Sequence, residues 1–534
     1  MRGTLPARPT RKVLLAISLV LAASLGTVAW RRAARPRAWK VGEVPVAFWV
    51  WSNELPAEVE VESAAAGTKA RVLFVRAGQL HAEGGRVARV RAPAGRFPRA
   101  LPIHLVYNGT HALLNSFEQL DAGALATSIS DTYRGDLKRA ENDGARVEGL
   151  QLDLDVPTRL LPRYAGLLRA LREKLQQGTR LSVTGLTTWM SSRSLAALLA
   201  AVDFWVPQFY GARIPETLGE ALPVSSPTAV AADVARAREL QRPFYAGLSA
   251  YGYAALYSKT GALVELRGDL DPDKVARNPN LELVERRAFD ANPNFATARA
   301  ADEPVASEWR YVFRARSDAS IGDLVVREGE RLMLDVPSAE SLRASLRAVR
   351  EEAGAQLIGV CLFRLPTEGD QTALTLAQIS AALADRTATS ETSARIERSD
   401  AADASAREEV ATRLTVSVSN GGESGALLGE ALTVTVAVPA GSLRGIGELK
   451  NFADVETLCG DVARGGALAP CGARRADAVR LLARSWRPGA KALAVLTVGG
   501  ELPRVLPVSF GVRVDDGRLW RRDEEVLVGD GRER

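Results

Sequence analysis

VEGLQLDLDV, residues 147–156, is the stretch from which the fold can be read. Leu150, Leu152 and Leu154 alternate with Gln151, Asp153 and Asp155. Successive side chains of an extended chain point to opposite faces, so one face is apolar and the other carries an amide and two carboxylates. The segment that follows supplies an apolar layer for the first face. Leu160, Leu161, Tyr164, Leu167, Leu168, Leu171 and Leu175 recur at three- and four-residue steps, which is the stripe of a helix laid against a sheet.

The same strand-then-helix order extends in both directions. Apolar runs occur at VPVAFWVW (44–51), ARVLFVRA (70–77), LPIHLVYN (101–108), RLSVTGLTTW (180–189), VDFWVPQFYG (202–211), RPFYAGLSAY (242–251) and QLIGVCLFRL (356–365). With residues 147–156 they make eight, the strand number of a closed (β/α)8 barrel of the TIM type. The expected fold class is therefore α/β, with the barrel spanning residues 41–386 and a closing helix near 370–385. Residues 253–355 part the last two runs by more than one helix requires, which predicts an insertion bearing a small β-rich subdomain.

Beyond the barrel, residues 387–410 are rich in Ala, Ser, Thr and charge and are expected to be a linker. Alternating runs in 411–534, such as RLTVSVSN and VLPVSFGVRV, predict a small all-β sandwich. Cys459 and Cys471 lie close together there in a Gly-rich loop, as a disulfide or as two separate thiols; a disulfide favours an oxidising compartment. Cys361 falls within an apolar run and is expected to be a small buried hydrophobe.

The chain of 534 residues has a net charge of +6, but nine of its 69 Lys and Arg precede the first acid, Glu43. The remaining 60 face 63 Asp and Glu, so the body is slightly acidic and carries no basic stripe for nucleic acid. Within residues 1–40 the uncharged run 13–30, VLLAISLVLAASLGTVAW, is just long enough to enter a bilayer core. It predicts an inner-membrane anchor with the bulk extracytoplasmic, in a bacterial cell envelope. A cleaved signal segment and secretion is the alternative.

Inward-facing polar residues at the C-terminal ends of barrel strands are where barrel enzymes keep their sites. Asp153 and Asp155 qualify on the fourth run, Gln208 and Tyr210 on the sixth. Two acids in a partly dry site repel, which lets one hold a proton for donation. Trp51, Asn53, Glu54, Asn108, Trp189, Tyr251 and Arg364 stand at or near other strand ends, and Gln151 and Gln208 share the polar faces of the fourth and sixth runs. Aromatic platforms among amides and acids suit sugar rings, so these residues are the substrate-binding candidates. The competing reading makes the two acids part of a structural ion-pair network, and Trp51 and Trp189 rim or core packing. His81, His104 and His111 show no ligand spacing, so neither a metal nor another cofactor is expected.

EGLQLDLD (148–155) resembles the fourth-strand signature of family 18 glycoside hydrolases, the chitinases and their relatives, written D-G-x-D-x-D-x-E. QFY (208–210) stands where that family carries M-x-Y. The resemblance implies Asp155 as the catalytic acid, with Asp153 and Tyr210 holding a substrate acetamido group. Glu148 and Gln151 take the first two Asp positions. Asp155 is one methylene shorter than the family's Glu, and the family's eighth-strand Trp is replaced by Phe363 or Arg364. The barrel as a whole, with FWVW, QLDLDVP and PQFYG, is similar to a bacterial family that carries a domain-of-unknown-function label.

Two functions follow as expectations. One is a membrane-anchored glycoside hydrolase-like enzyme acting on a polysaccharide, N-acetylated glycans included. The other is a non-catalytic glycan-binding or envelope-assembly protein on the same scaffold.

Overall fold

The computed structural model describes residues 38–211, 215–220, 224–288, 308–367, 370, 372–400, 411–460, 467–514 and 517–530; the apolar run 13–30 lies outside them. Among the described residues no helix is long and apolar enough to cross a membrane.

Eight parallel strands form the barrel: Val46–Val50, Ala70–Glu83, Ile103–Gly109, Val147–Asp153, Arg180–Leu186, Phe204–Gln208, Phe244–Ser249 and Leu357–Phe363. They are called first to eighth below. Each pairs with the next, and the first pairs with the eighth from Val46↔Val360 to Trp49↔Phe363, which closes the cylinder. The eight apolar runs thus become the eight strands.

Side-chain alternation sorts the barrel residues into two cores. Phe48, Val50, Leu150, Leu152, Leu154 and Val183 pack outward with residues of the surrounding helices. Helix Leu161–Arg172 buries Leu161, Tyr164, Leu167, Leu168 and Leu171 on that side, each contributing about 1.5–3 kcal/mol of burial for an aliphatic side chain. Ala47, Trp49, Phe74, Val106, Phe204, Val206 and Cys361 fill the interior. Gly247 makes room for the Trp49 ring, since a Cβ there would lie 3.1 Å from Trp49 Cη2 and 2.6 Å from the Pro207 carbonyl oxygen.

Between the seventh and eighth strands, Tyr253–Tyr257, Leu263–Arg267, Leu281–Ala288, Trp309–Ala315 and Arg331–Val336 form an antiparallel five-stranded sheet. Arg310 and Asp335 face each other within it, both buried, at 2.7 and 2.8 Å. The insertion is shorter than the span 253–355. Helix Ala339–Glu352 belongs to the barrel, because Leu342, Leu346 and Val349 join its outer core.

The linker expected at 387–410 is also corrected. Thr392–Asp400 is a strand paired along its length with Ala411–Asn420 and, at Ile396–Arg398, with Leu519–Asp530; Ala394 and Ile396 alternate with Ser393, Arg395 and Glu397, which gives it one apolar and one polar face there; residues 401–410 lie outside the described ones. The β-rich region is one ten-stranded sheet reaching from Thr392 to Asp530. Strand Leu519–Asp530 joins its two halves, and Val416, Leu496, Val434, Leu481 and Val508 from both halves share one core. A disulfide links Cys459 to Cys471. Leu427 and Leu428 from this region enter the core of the insertion.

Candidate active site

Asp153 is the last residue of the fourth strand, and its inward side chain meets the fifth and sixth strands. Thr184 Oγ1 donates to Asp153 Oδ1 at 2.6 Å, and Gln208 Nε2 donates to the same oxygen at 3.3 Å. Burial, reinforced by the charge of Asp155, pushes the Asp153 carboxyl up to about 7 against those two donors. Asp155 lies two residues past the strand and is exposed at the rim. The protein walls around it nevertheless raise its proton affinity by desolvation. Among the described residues no cation and no hydrogen-bond donor ties Asp155 down. Asp153 is thus fixed from below, while Asp155 faces the solvent and its charge acts on Asp153.

An aromatic wall stands beside the pair. Tyr210 and Tyr251 lie 6.3 Å apart between ring centroids, and Phe363 lies 5.8 and 4.8 Å from them. Trp51 continues the wall at 5.7 Å from Phe363. All four are half-buried. Burial, then Tyr251 and Asp153, hold the Tyr210 phenol well above its ordinary value, which keeps it a neutral hydrogen-bond donor.

Two candidates from the sequence are not at the mouth. Gln151 is fully buried in the barrel, where its Oε1 accepts from Trp49 Nε1 at 2.8 Å and its Nε2 donates to Ser182 Oγ at 3.3 Å. It props Trp49, which forms the floor under the aromatic wall. Trp189 is 1% exposed. The short helical turn Thr187–Ser191 folds it back onto Tyr164, and its indole donates to the Val156 carbonyl at 3.1 Å. Neither side chain is open to a ligand.

The remaining candidates divide between two places. Trp51, Asn53 and Arg364 line a cavity of about 570 Å³ at the ends of the first, second and eighth strands. Arg364 is held there by a fork to Asp370, at 2.9 and 3.1 Å, and by Thr372 Oγ1 at 2.8 Å. Asn108 borders Asp153 as its register partner on the neighbouring strand. Glu54 is exposed and lines a separate groove with Arg96, Arg99 and Asp143.

Sequence reasoning passed over Arg76. It lies in the second strand, its residue surface only 6% exposed, and it reaches the cavity with Asn53 and Asn108 as partners at 3.2 and 3.4 Å. The signal was present: Val72 and Phe74 face the interior, and Arg76 is the next residue of that parity. Thr184 was legible in the same way, two residues beyond the inward Ser182.

Residues 115–288 match the family model described as Domain of unknown function (DUF3142). A comparison with curated proteins finds no match. Among solved structures, a chitinase from Chromobacterium violaceum is similar at 18% identity, covering 64% of this chain and 98% of that one, with a TM-score of 0.42. The spore cortex-lytic enzyme SleL of Bacillus cereus is similar at 15% identity over 64% of this chain and 74% of that one, TM-score 0.39. A chitinase-like agglutinin from Robinia pseudoacacia is similar at 12% identity over 63% and 98%, TM-score 0.38. The barrel assignment rests on the strand order and register given above.

Proposed function

We propose that this chain, which carries a DUF3142 domain over residues 115–288, is an extracytoplasmic glycoside hydrolase-like enzyme acting on a polysaccharide, with N-acetylated glycans among its substrates. The observation that carries the reading is the acid pair at the barrel mouth, in which Asp155 is untethered and Asp153 is fixed by Thr184 and Gln208. Asp153 keeps its proton up to about pH 7, where an ordinary carboxyl has lost it, so the pair holds a proton near neutral pH.

In this mechanism the sugar stacks on the wall of Trp51, Tyr210, Tyr251 and Phe363. Asp155 passes its proton to the glycosidic oxygen as the bond to the anomeric carbon breaks, and the bonding electrons leave with that oxygen. On an N-acetylated sugar the acetamido oxygen attacks the anomeric carbon, held by Asp153 and Tyr210, and water completes the hydrolysis. The Cys459–Cys471 disulfide supports an oxidising compartment. The apolar run 13–30 supports a membrane anchor or a secretion signal.

One observation favours a second reading, glycan binding without cleavage. Asp155 stands where the resembling family has the longer Glu, and a misplacement of about 1 Å costs roughly 10²-fold in rate. Reducing-end release from a polysaccharide panel, compared between wild type and Asp155→Asn, separates the two. The enzyme reading expects a loss of about 10²- to 10⁴-fold in the variant. Equal release by both proteins, with binding retained, selects the second reading.

A further inference from the structure

Resting on that reading of the mouth as a glycan site, we propose that the site contains a subsite for an acidic sugar of the uronic acid class, built on Arg76 and Arg91.

Arg76 carries its charge into the barrel end with neutral partners alone. Asn53 Oδ1 accepts from Nη1 at 3.2 Å, Asn108 Oδ1 accepts from Nε at 3.4 Å, and the guanidinium lies 5.7 Å from the Trp51 ring centroid. Among the described residues no carboxylate pairs with it. A charge partly withdrawn from water without a counter-charge is costly, and an anion bound in the cavity would offset that cost. Desolvation and the neighbouring Arg91 both lower the proton affinity of this guanidinium, the response of a cation that lacks a compensating anion.

The cavity of about 570 Å³ onto which Arg76 and Arg91 open is within the usual range for small-ligand sites. Three acids also line it, and each is already engaged. Asp370 is forked by Arg364, and Asp269 pairs with Arg267 at 3.0 Å. Asp271 caps helix Pro272–Arg277 by accepting from Asp273 N at 2.9 Å. Among the described residues neither Arg76 nor Arg91 is paired with a carboxylate, and the Arg76 guanidinium faces the Trp51 ring. A planar guanidinium fork beside an aromatic ring fits a sugar bearing a carboxylate: the fork takes the acid and the ring takes the sugar face. The subsite adjoins the acid pair, because Asn108 accepts from Arg76 and its backbone lies beside Asp153.

The test measures binding by calorimetry on the full chain carrying Asp155→Asn, so that turnover plays no part. The ligands are oligogalacturonate, oligomannuronate and hyaluronan hexasaccharides, each beside its methyl ester, with sulfated and plain chitohexaose. At least one uronate is expected to bind about tenfold more tightly than its own ester. Adding Arg76→Gln removes that preference and leaves the ester's affinity within about twofold, and adding Arg91→Gln, at an exposed position, reduces it about threefold. Equal affinity for acid and ester throughout, an intact preference in both Arg variants, or tighter binding of the sulfated ligand than of every uronate overturns the subsite. Acid preference without hydrolysis by the wild type sinks the enzyme reading alone. Hydrolysis of a neutral glycan without acid preference sinks the subsite alone.

Discussion

Thr184 donates its hydroxyl hydrogen to Asp153 Oδ1 at 2.6 Å across adjacent barrel strands. This bond favours the ionised carboxylate, while burial and Asp155 favour the protonated one, and the second influence wins. Removing the donor isolates its share. In Thr184→Val the pair binds its proton more tightly, so the alkaline limb of kcat/KM against pH moves upward by about half to one pH unit. A limb that stays in place would remove Asp153 from the proton-holding pair.

The raised Asp153 carboxyl also makes stability depend on pH. Its proton affinity rises on folding from 3.8 to about 7. The folded state thus holds a proton that the unfolded state has lost between those values, and the benefit, complete below 3.8, disappears as pH climbs through about 7. Asp153→Asn keeps an acceptor for Thr184 and cannot ionise. Its unfolding free energy relative to wild type is expected to rise steadily from pH 4 to 7 and then level off, by an amount on the order of a few kcal/mol at most, with the melting temperature moving in the same direction. Melting curves at five pH values check the sign.

Trp49 holds the floor of the site through Gln151. Trp49→Phe keeps an aromatic ring and removes the indole donor, which leaves Gln151 Oε1 buried without its 2.8 Å partner. The expected loss is about 1–3 kcal/mol, the cost of one unsatisfied buried polar group. Urea denaturation of Trp49→Phe, Gln151→Leu and the double variant measures it, and the double variant should lose less than the sum of the singles. Simple additivity would show that the two side chains do not depend on each other.

Asp335→Ala strands Arg310, whose side chain is 1% exposed, without its carboxylate fork. Breaking a buried pair by deleting one partner costs about 3–5 kcal/mol. Denaturant unfolding is expected to show a loss of that size in unfolding free energy for this variant, while exposed Asp131→Ala, which removes a surface ion pair with Arg134, changes it by less than about 1 kcal/mol. Equal effects of the two substitutions would place the Arg310–Asp335 pair outside the folded core.

The sequence by itself determined the barrel and the parity of its strands. Period-two spacing in residues 147–156 assigns Leu150, Leu152 and Leu154 to the helix layer and Asp153 to the interior, because backbone geometry alone alternates side chains across a sheet. Parity says which face a residue takes and nothing about its depth along the cylinder or what stands opposite. Those were decided by tertiary structure. Gln151 has the same parity as Asp153 but sits one layer lower, under Trp49, and is sealed. Trp189 follows a strand end, yet a helical turn carries it into the outer core. Arg76 meets Asn53, Asn108 and Trp51 only because parallel pairing sets the first and third strands on the two sides of the second. Local spacing fixes direction; the packing of distant segments fixes exposure, and exposure separates a ligand contact from a core residue.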